Sequence, residues 1–328
     1  MQELLRSFVP AADEVGRLQR GQGAECDLFR TIAEQGHYAG RTVPSDTRQG
    51  IYATTPSGIL LASVNSRSAR EVTSMLERAL AAWEVLPRAE RRMDPASLTR
   101  APLRARWERL YPEDGLVLRV TSRDLREPSD PAAEPTRPRR RSSWKRHAWN
   151  QDYAWFRRLE MMSFVPASRR VGATTTLPES LAERVVRLHL VDNVRGQVRA
   201  FSRDEVQRAE VTSRITAIDD GRITLALSGR TRAVHAATPE PPAEEGRRRN
   251  PERAERGVET ELTGRAIFDT ERRRFVAFEL VAIGKRWGAT RYNGRERDTA
   301  AAGIGIAFTL ATNDPPVAPA YIWEYGWR

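Results

Sequence analysis

The chain has 328 residues, of which 40% are hydrophobic and 30% charged, enough apolar content for two cores of ordinary domain size joined by very polar connections. Its formal net charge is +11, carried almost wholly by arginine, because Lys145 and Lys285 are the only lysines. That charge fits an anionic partner, and it fits equally the arginine-for-lysine codon bias of a GC-rich genome. A single cysteine, Cys26, excludes an intramolecular disulfide and any cysteine-rich zinc site, and no apolar run reaches the ~18 residues of a membrane helix.

In chain order, Gln2–Arg6 reads as a short helix leading to the apolar step Phe8-Val9-Pro10. After the breaker Gly21-Gln22-Gly23, a helix over Glu25–Glu34 puts Leu28, Phe29 and Ile32 on one face. Gly50–Thr54 and Ile59–Val64 flank a Pro-Ser-Gly turn and predict a hairpin. Ser66 or Ser68 caps a helix from Ala69 to about Trp83, with Val72, Leu76, Leu80 and Trp83 at helical spacing and Pro87 as its stop.

Residues 91–114 read as a linker, and Gly115–Ser122 as a strand. Residues 125–147 and 237–256 read as charged, disordered insertions. Pro178–Leu190 is a predicted helix. Ala209–Ile218, Arg222–Leu227, Thr231–His235, Val258–Asp269, Arg274–Gly284, Ile304–Leu310 and Ala320–Tyr325 are predicted strands, with Asp220-Gly221 and Ser228-Gly229 as turns. Together these predict an α+β chain: a small first domain over 1–90, then a mainly antiparallel β domain over 115–328, a sandwich or small barrel with one or two helices.

The segment GIYATTPSGILLASVNSRSAREVTSMLERALAAW resembles the last hairpin and final helix of the thioredoxin-like family, and SFVPAADEV resembles the strand after that family's active-site helix. The resemblance covers roughly a quarter of the chain. It implies an incomplete thioredoxin-like domain, because the Cys-x-x-Cys, the proline before the hairpin and the first strand-helix unit all lack counterparts here. Phe8-Val9 would then be a strand beside a gap in the sheet, which either another strand or a segment upstream of Met1 would fill.

The candidate chemistry is sparse. Cys26 lies near a helix start, where a thiol can be activated, although Glu25 and Asp27 oppose a reactive anion beside it. Trp149, Asn150, Asp152, Tyr153 and Trp155 form the densest aromatic cluster, close to the Arg139–Arg141 run, Trp144 and Lys145-Arg146. Such a cluster suits a sugar, a single-stranded nucleic acid or a plain core plug. Arg286, Trp287, Tyr292, Asn293 and Arg295 occupy a long inter-strand loop, a seat for a ligand or a loop held in shape by an Arg–Asp pair with Asp298 or Asp269. His37-Tyr38, the polar run 45–49 and Asp192–Gly196 read as cap, loop and turn, and the four histidines show no metal-ligand spacing.

No dinucleotide fingerprint, phosphate-binding loop or nucleophile elbow is present. The leading expectation is a non-catalytic binding or accessory protein without cofactor, taking an unknown protein or small ligand on its β domain. The alternatives are a thiol-disulfide redox protein using Cys26 or a site upstream of Met1, and a nucleic-acid binder using the Arg-rich, Trp-flanked segment. The expected compartment is the cytoplasm, or an exported location if a segment precedes Met1.

Overall fold

The computed structural model describes residues 2–13, 15–20, 24–37, 48–66, 68–92, 110–125, 147–238, 253–312 and 317–327. The chain divides into two compact units, Met1–Ala105 and Arg106–Arg328. Among the described residues, no helix is long and apolar enough to cross a membrane.

In the first unit, helices α1 (Gln2–Leu5), α2 (Val15–Arg20) and α3 (Ala24–Gln35) precede the antiparallel hairpin β1 (Ile51–Thr54) and β2 (Leu60–Val64). Helix α4 (Ala69–Val85) follows, its N-terminus capped by Ser68, whose side chain accepts from Glu71 N. It ends at Leu86 because the following Pro87 cannot continue a helix. Val72, Met75, Leu76 and Ala79 recur at helical spacing and pack on Ala53 of the hairpin. The hairpin and its helix thus follow the pattern expected of them.

Phe8-Val9 does not. It lies at a bend rather than in a strand, with Phe8 against the α4 core and Val9 95% exposed. The reason is local: Arg6, Ser7 and Phe8 donate back to the carbonyls of Glu3, Leu4 and Leu5, and Pro10 removes the next donor. Among the described residues the hairpin is therefore the whole sheet of this unit.

The second unit is built on one eight-stranded antiparallel sheet, ordered β4-β3-β10-β9-β8-β7-β6-β5. Its strands are β3 (Leu116–Asp124), β4 (Trp149–Phe156), β5 (Thr174–Thr176), β6 (Val206–Asp219), β7 (Arg222–His235), β8 (Arg256–Asp269), β9 (Arg274–Trp287) and β10 (Ala302–Leu310). Helices α5 (Arg158–Met162) and α6 (Glu179–His189) lie between β4 and β6, and Ile322–Tyr325 closes the unit as a 3₁₀ turn.

Period-2 burial along β7 and β8 turns one face inward, where Leu225, Leu227, Leu262, Phe278, Leu280 and Ile306 join Val185 and Val186 of α6. Helix α6 packs on β6 and β7 toward one end of the strand order and on β4 at the other end. The sheet therefore curls around the helix. Register shifts in β6 and β8 add local twist, and glycine allows close backbone approach: a Cβ at Gly284 would lie 1.8 Å from Glu259 O.

Three expectations are corrected. The unit is neither a sandwich nor a closed barrel, because α6 fills the place of a second sheet and the terminal strands β4 and β5 do not pair among the described residues. Ser228-Gly229 is not a turn but the middle of β7, where a Cβ at Gly229 would meet Glu210 O at 2.1 Å. Ala320–Tyr325 is not a strand; Tyr321 precedes, and Trp323 and Tyr325 sit on, a 3₁₀ turn that ends at Gly326 with φ 66°. By contrast, Asp220 and Gly221 both adopt positive φ and make the expected tight hairpin turn.

Candidate functional site

Of the residues expected in the loop between β9 and β10, Arg286 and Trp287 instead end strand β9; the loop carries Tyr292, Asn293 and Arg295, and the last two hold its shape. Arg295 is fully buried. Its guanidinium meets Asp192 through Nε (2.8 Å) and Nη2 (2.7 Å), and Asp124 through Nη2 (2.6 Å) and Nη1 (3.1 Å). Asp298 adds a third carboxylate at 3.2 Å from Nη1 and is shared with Arg195 at 2.5 Å and Arg286 at 2.8 Å. Burial opposes the charge on Arg295, yet the hydrogen bonds and charges of Asp192 and Asp124 win and hold the guanidinium more firmly protonated than usual. Asp298 is held below the usual carboxylate range: burial would raise it, but Arg286 and Arg195 outweigh that.

Asn293 Oδ1 accepts from Thr290 N (3.0 Å) and Arg295 N (3.3 Å) and so closes the loop on itself. Three arginines face three aspartates drawn from β3, the turn after α6, and the loop. The expected pairing with Asp298 holds the loop; Asp269 instead accepts from Arg272 N at its own hairpin.

The other predicted cluster, on β4, splits along the strand. Tyr153 and Trp155 are buried with Val117, Leu188, Ile322, Tyr325 and Trp327. Asp152 lies beside α6, its Oδ1 accepting from Ala320 N at 2.9 Å. Burial pushes its carboxyl up to about 6, against the pull of the Ala320 and Tyr153 N–H groups. His189, at the end of α6, is fully enclosed, and burial followed by the charge of Arg184 pushes it down to about 3.

The His189 imidazole is therefore neutral at neutral pH, and its 3.8 Å approach to Asp152 is not then an ion pair. Tyr325 OH accepts from Trp155 N (3.2 Å) and lies 2.6 Å from His189 Nε2. The donor in this contact depends on the imidazole tautomer: the phenol donates if Nδ1 carries the proton and accepts if Nε2 does. Neither His189 Nδ1 nor Trp155 Nε1 has a hydrogen-bond partner among the described residues.

Above this cluster opens a cleft of about 450 Å³. Among the described residues, Arg157, Arg184, Arg187 and Arg203 line it with only Glu160 and Glu324 to answer them; Leu159 and Leu181 form an apolar wall, and Tyr325 and Trp327 an aromatic one. Glu160 grips Arg184 with both oxygens (2.5 and 2.9 Å) while also accepting from Arg157 N at the start of α5. Arg184 packs over the Tyr325 ring at 4.4 Å, and Arg157 over Trp327 at 4.4 Å. The apolar void in the core, lined by Phe156, Phe164 and Phe278 among others, is about 10 Å³ and too small for a ligand.

The remaining predicted residues do not converge on the cleft. Trp149 and Tyr292 are 61% and 56% exposed. Asn150 is half-buried opposite Ser122, and Trp287 donates from Nε1 to Glu255 at 2.9 Å. Cys26 is 1% exposed inside α3 and away from solvent. Tyr38, residues 45–47, Arg139–Arg141, Trp144, Lys145-Arg146, and nearly all of the segments 125–147 and 237–256 lie outside the described residues. Among the described residues, no group of three His, Cys, Asp or Glu side chains could hold a metal ion.

The cleft residues Arg157, Glu160, Arg184, Arg187, Arg203, Glu324 and Trp327 were not singled out from sequence. One signal was available: Arg184 sits between Leu181 and Leu188 on the apolar stripe of α6, where a charge needs a buried partner. Comparison of the chain with known families, curated proteins and solved structures finds no match.

Proposed function

We propose that the chain is a non-catalytic binding protein whose β-rich unit receives a small ligand in the cleft between α5, α6 and the C-terminal 3₁₀ turn. The observation that carries this reading is the imbalance of the cleft, in which four arginines and an aromatic wall face two glutamates. Its volume lies in the range of small-molecule sites, roughly 300–1,000 Å³.

The chemistry of the neighbouring groups supports binding rather than turnover. Asp152, His189 and Tyr325 stand in the order of a proton relay, but the imidazole resists protonation, the enclosed phenol is raised above its ordinary value by burial, and the 3.8 Å step is not a hydrogen bond. The enclosure of Cys26 supports a scaffold role for the first unit.

Native mass spectrometry of the chain isolated from its own cells tests the reading. The expected result is a small-molecule adduct that Trp327→Ala loses. A ligand-free protein that reduces a disulfide substrate, with that activity lost in Cys26→Ser, would overturn it.

A further inference from the structure

The two arginines that α6 turns toward the cleft are answered very differently. Arg184 is 9% exposed and fully engaged, by both oxygens of Glu160 and by Trp155 O at 3.2 Å. Arg187, one turn on, has a side chain only 13% exposed. Its Nε donates to Phe201 O at 2.9 Å, but among the described residues its charge meets only Glu324, across 3.5 Å. That carboxylate is 41% exposed on the 3₁₀ turn. A largely desolvated guanidinium held to a solvent-exposed carboxylate at that distance is weakly neutralised, and such a pair contributes at most about 1 kcal/mol.

The surroundings set what could neutralise it better. Arg203 is exposed on the cleft lining and Arg157 lies over Trp327, so positive charge converges on the mouth. Leu159, 83% exposed, and Leu181 offer apolar surface beside that charge. An exposed leucine next to arginines suits a ligand with an anionic head and an apolar body. The group already standing at Arg187 is a carboxylate, and guanidinium matches carboxylate through paired N–H donors.

We propose that the cleft binds a small organic carboxylate with an apolar body, that Arg187 is its anchor, and that Glu324 is an internal carboxylate which the ligand displaces. The proposal rests on the binding role argued above and names the ligand class for the same cleft. It makes the C-terminal turn a competitor: Glu324 holds Arg187 until a better carboxylate arrives, and Arg203 and Arg157 add long-range attraction that salt screens.

The test is a calorimetric titration of the full chain with octanoate, with octanol, octylamine and octyl phosphate as controls. The expected result is saturable octanoate binding that weakens with salt and is not matched by any control. Glu324→Gln, a change at an exposed side chain, should tighten octanoate by about three- to tenfold, because the internal competitor is gone. Arg187→Gln should weaken it about tenfold or more, through loss of the charge-assisted pair.

No octanoate binding, preference for octyl phosphate or octanol, or unchanged affinity in Glu324→Gln would overturn the proposal. If octanoate fails while a native adduct is still lost in Trp327→Ala, the carboxylate assignment falls and the binding role stands. If both fail, both readings fall.

Discussion

The second unit holds two buried polar clusters close to α6, and they differ in how their charges are matched. Around Arg295, three arginines meet three aspartates, and the anchor carries no exposed surface. Around Arg184 and His189, four arginines meet two glutamates, two buried ring nitrogens lack partners among the described residues, and the cluster opens into a cleft. The first arrangement matches its charges one for one, although Arg286 Nε lacks a hydrogen-bond partner among the described residues, and it fixes a loop against β3 and the turn after α6. The second leaves Arg187 held only across 3.5 Å by the exposed Glu324 among the described residues. A buried charge holds structure where it is balanced, and the proposed binding role belongs to the cluster where it is not.

Breaking the balanced cluster should have the largest effect. Arg295→Met leaves Asp192 without its arginine and Asp124 with Arg195 alone, and we expect a loss of about 3–5 kcal/mol in urea unfolding. A loss below about 1 kcal/mol would mean that water already answers those carboxylates.

The pH dependence of the open cluster comes next. The raised carboxyl of Asp152 favours folding while protonated; that contribution is complete below about pH 4 and is lost as pH rises through about 6, a change of about 3 kcal/mol. The lowered imidazole of His189 works the other way: its contribution is complete above about 6.5 and is lost as pH falls toward 3. Between pH 4 and 6 the two slopes oppose, so the wild type should be nearly flat from this pair. Asp152→Asn should then lose about 1.4 kcal/mol per unit of acidification, and His189→Gln should gain a similar amount. Chemical denaturation at pH 4, 5 and 6 checks both signs.

The two cleft glutamates sharpen the comparison further. Glu160→Gln weakens the half-buried, bidentate partner of Arg184 and should cost about 1.5–3 kcal/mol. Glu324→Gln touches only a long, exposed pair and should change stability by less than about 0.5 kcal/mol. Equal losses in thermal unfolding would show that the two arginines are held alike.

Much of the architecture was legible in local chemistry. Asp220-Gly221, the Val258–Asp269 and Arg274–Gly284 strands, the Ser68 cap and the Pro-Ser-Gly turn each act over a few residues, and each formed where its residues predict. Local signals misled where one residue serves two ends. Gly229 reads as a turn but provides room for a neighbouring strand, and the alternate aromatics of Tyr321–Tyr325 read as a strand but pack from a 3₁₀ turn. The site was mostly illegible because its partners are distant. Arg295 and Asp124 are 171 positions apart, and His189 and Tyr325 are 136 apart. Asp298, three positions from Arg295, was the one partner within local reach, and it was among the residues expected. The charge of Arg184 inside an apolar stripe marked the cleft without naming Glu160.

The most direct test of the distinction is the ¹H–¹⁵N spectrum of the arginine side chains, recorded with and without octanoate. The account predicts that the Arg295 Nε–H exchanges slowly and does not move, while the Arg187 Nε–H shifts as octanoate saturates. An Arg295 signal that moves with an Arg187 signal that stays would contradict it, because the balanced cluster would then be the one that answers a ligand.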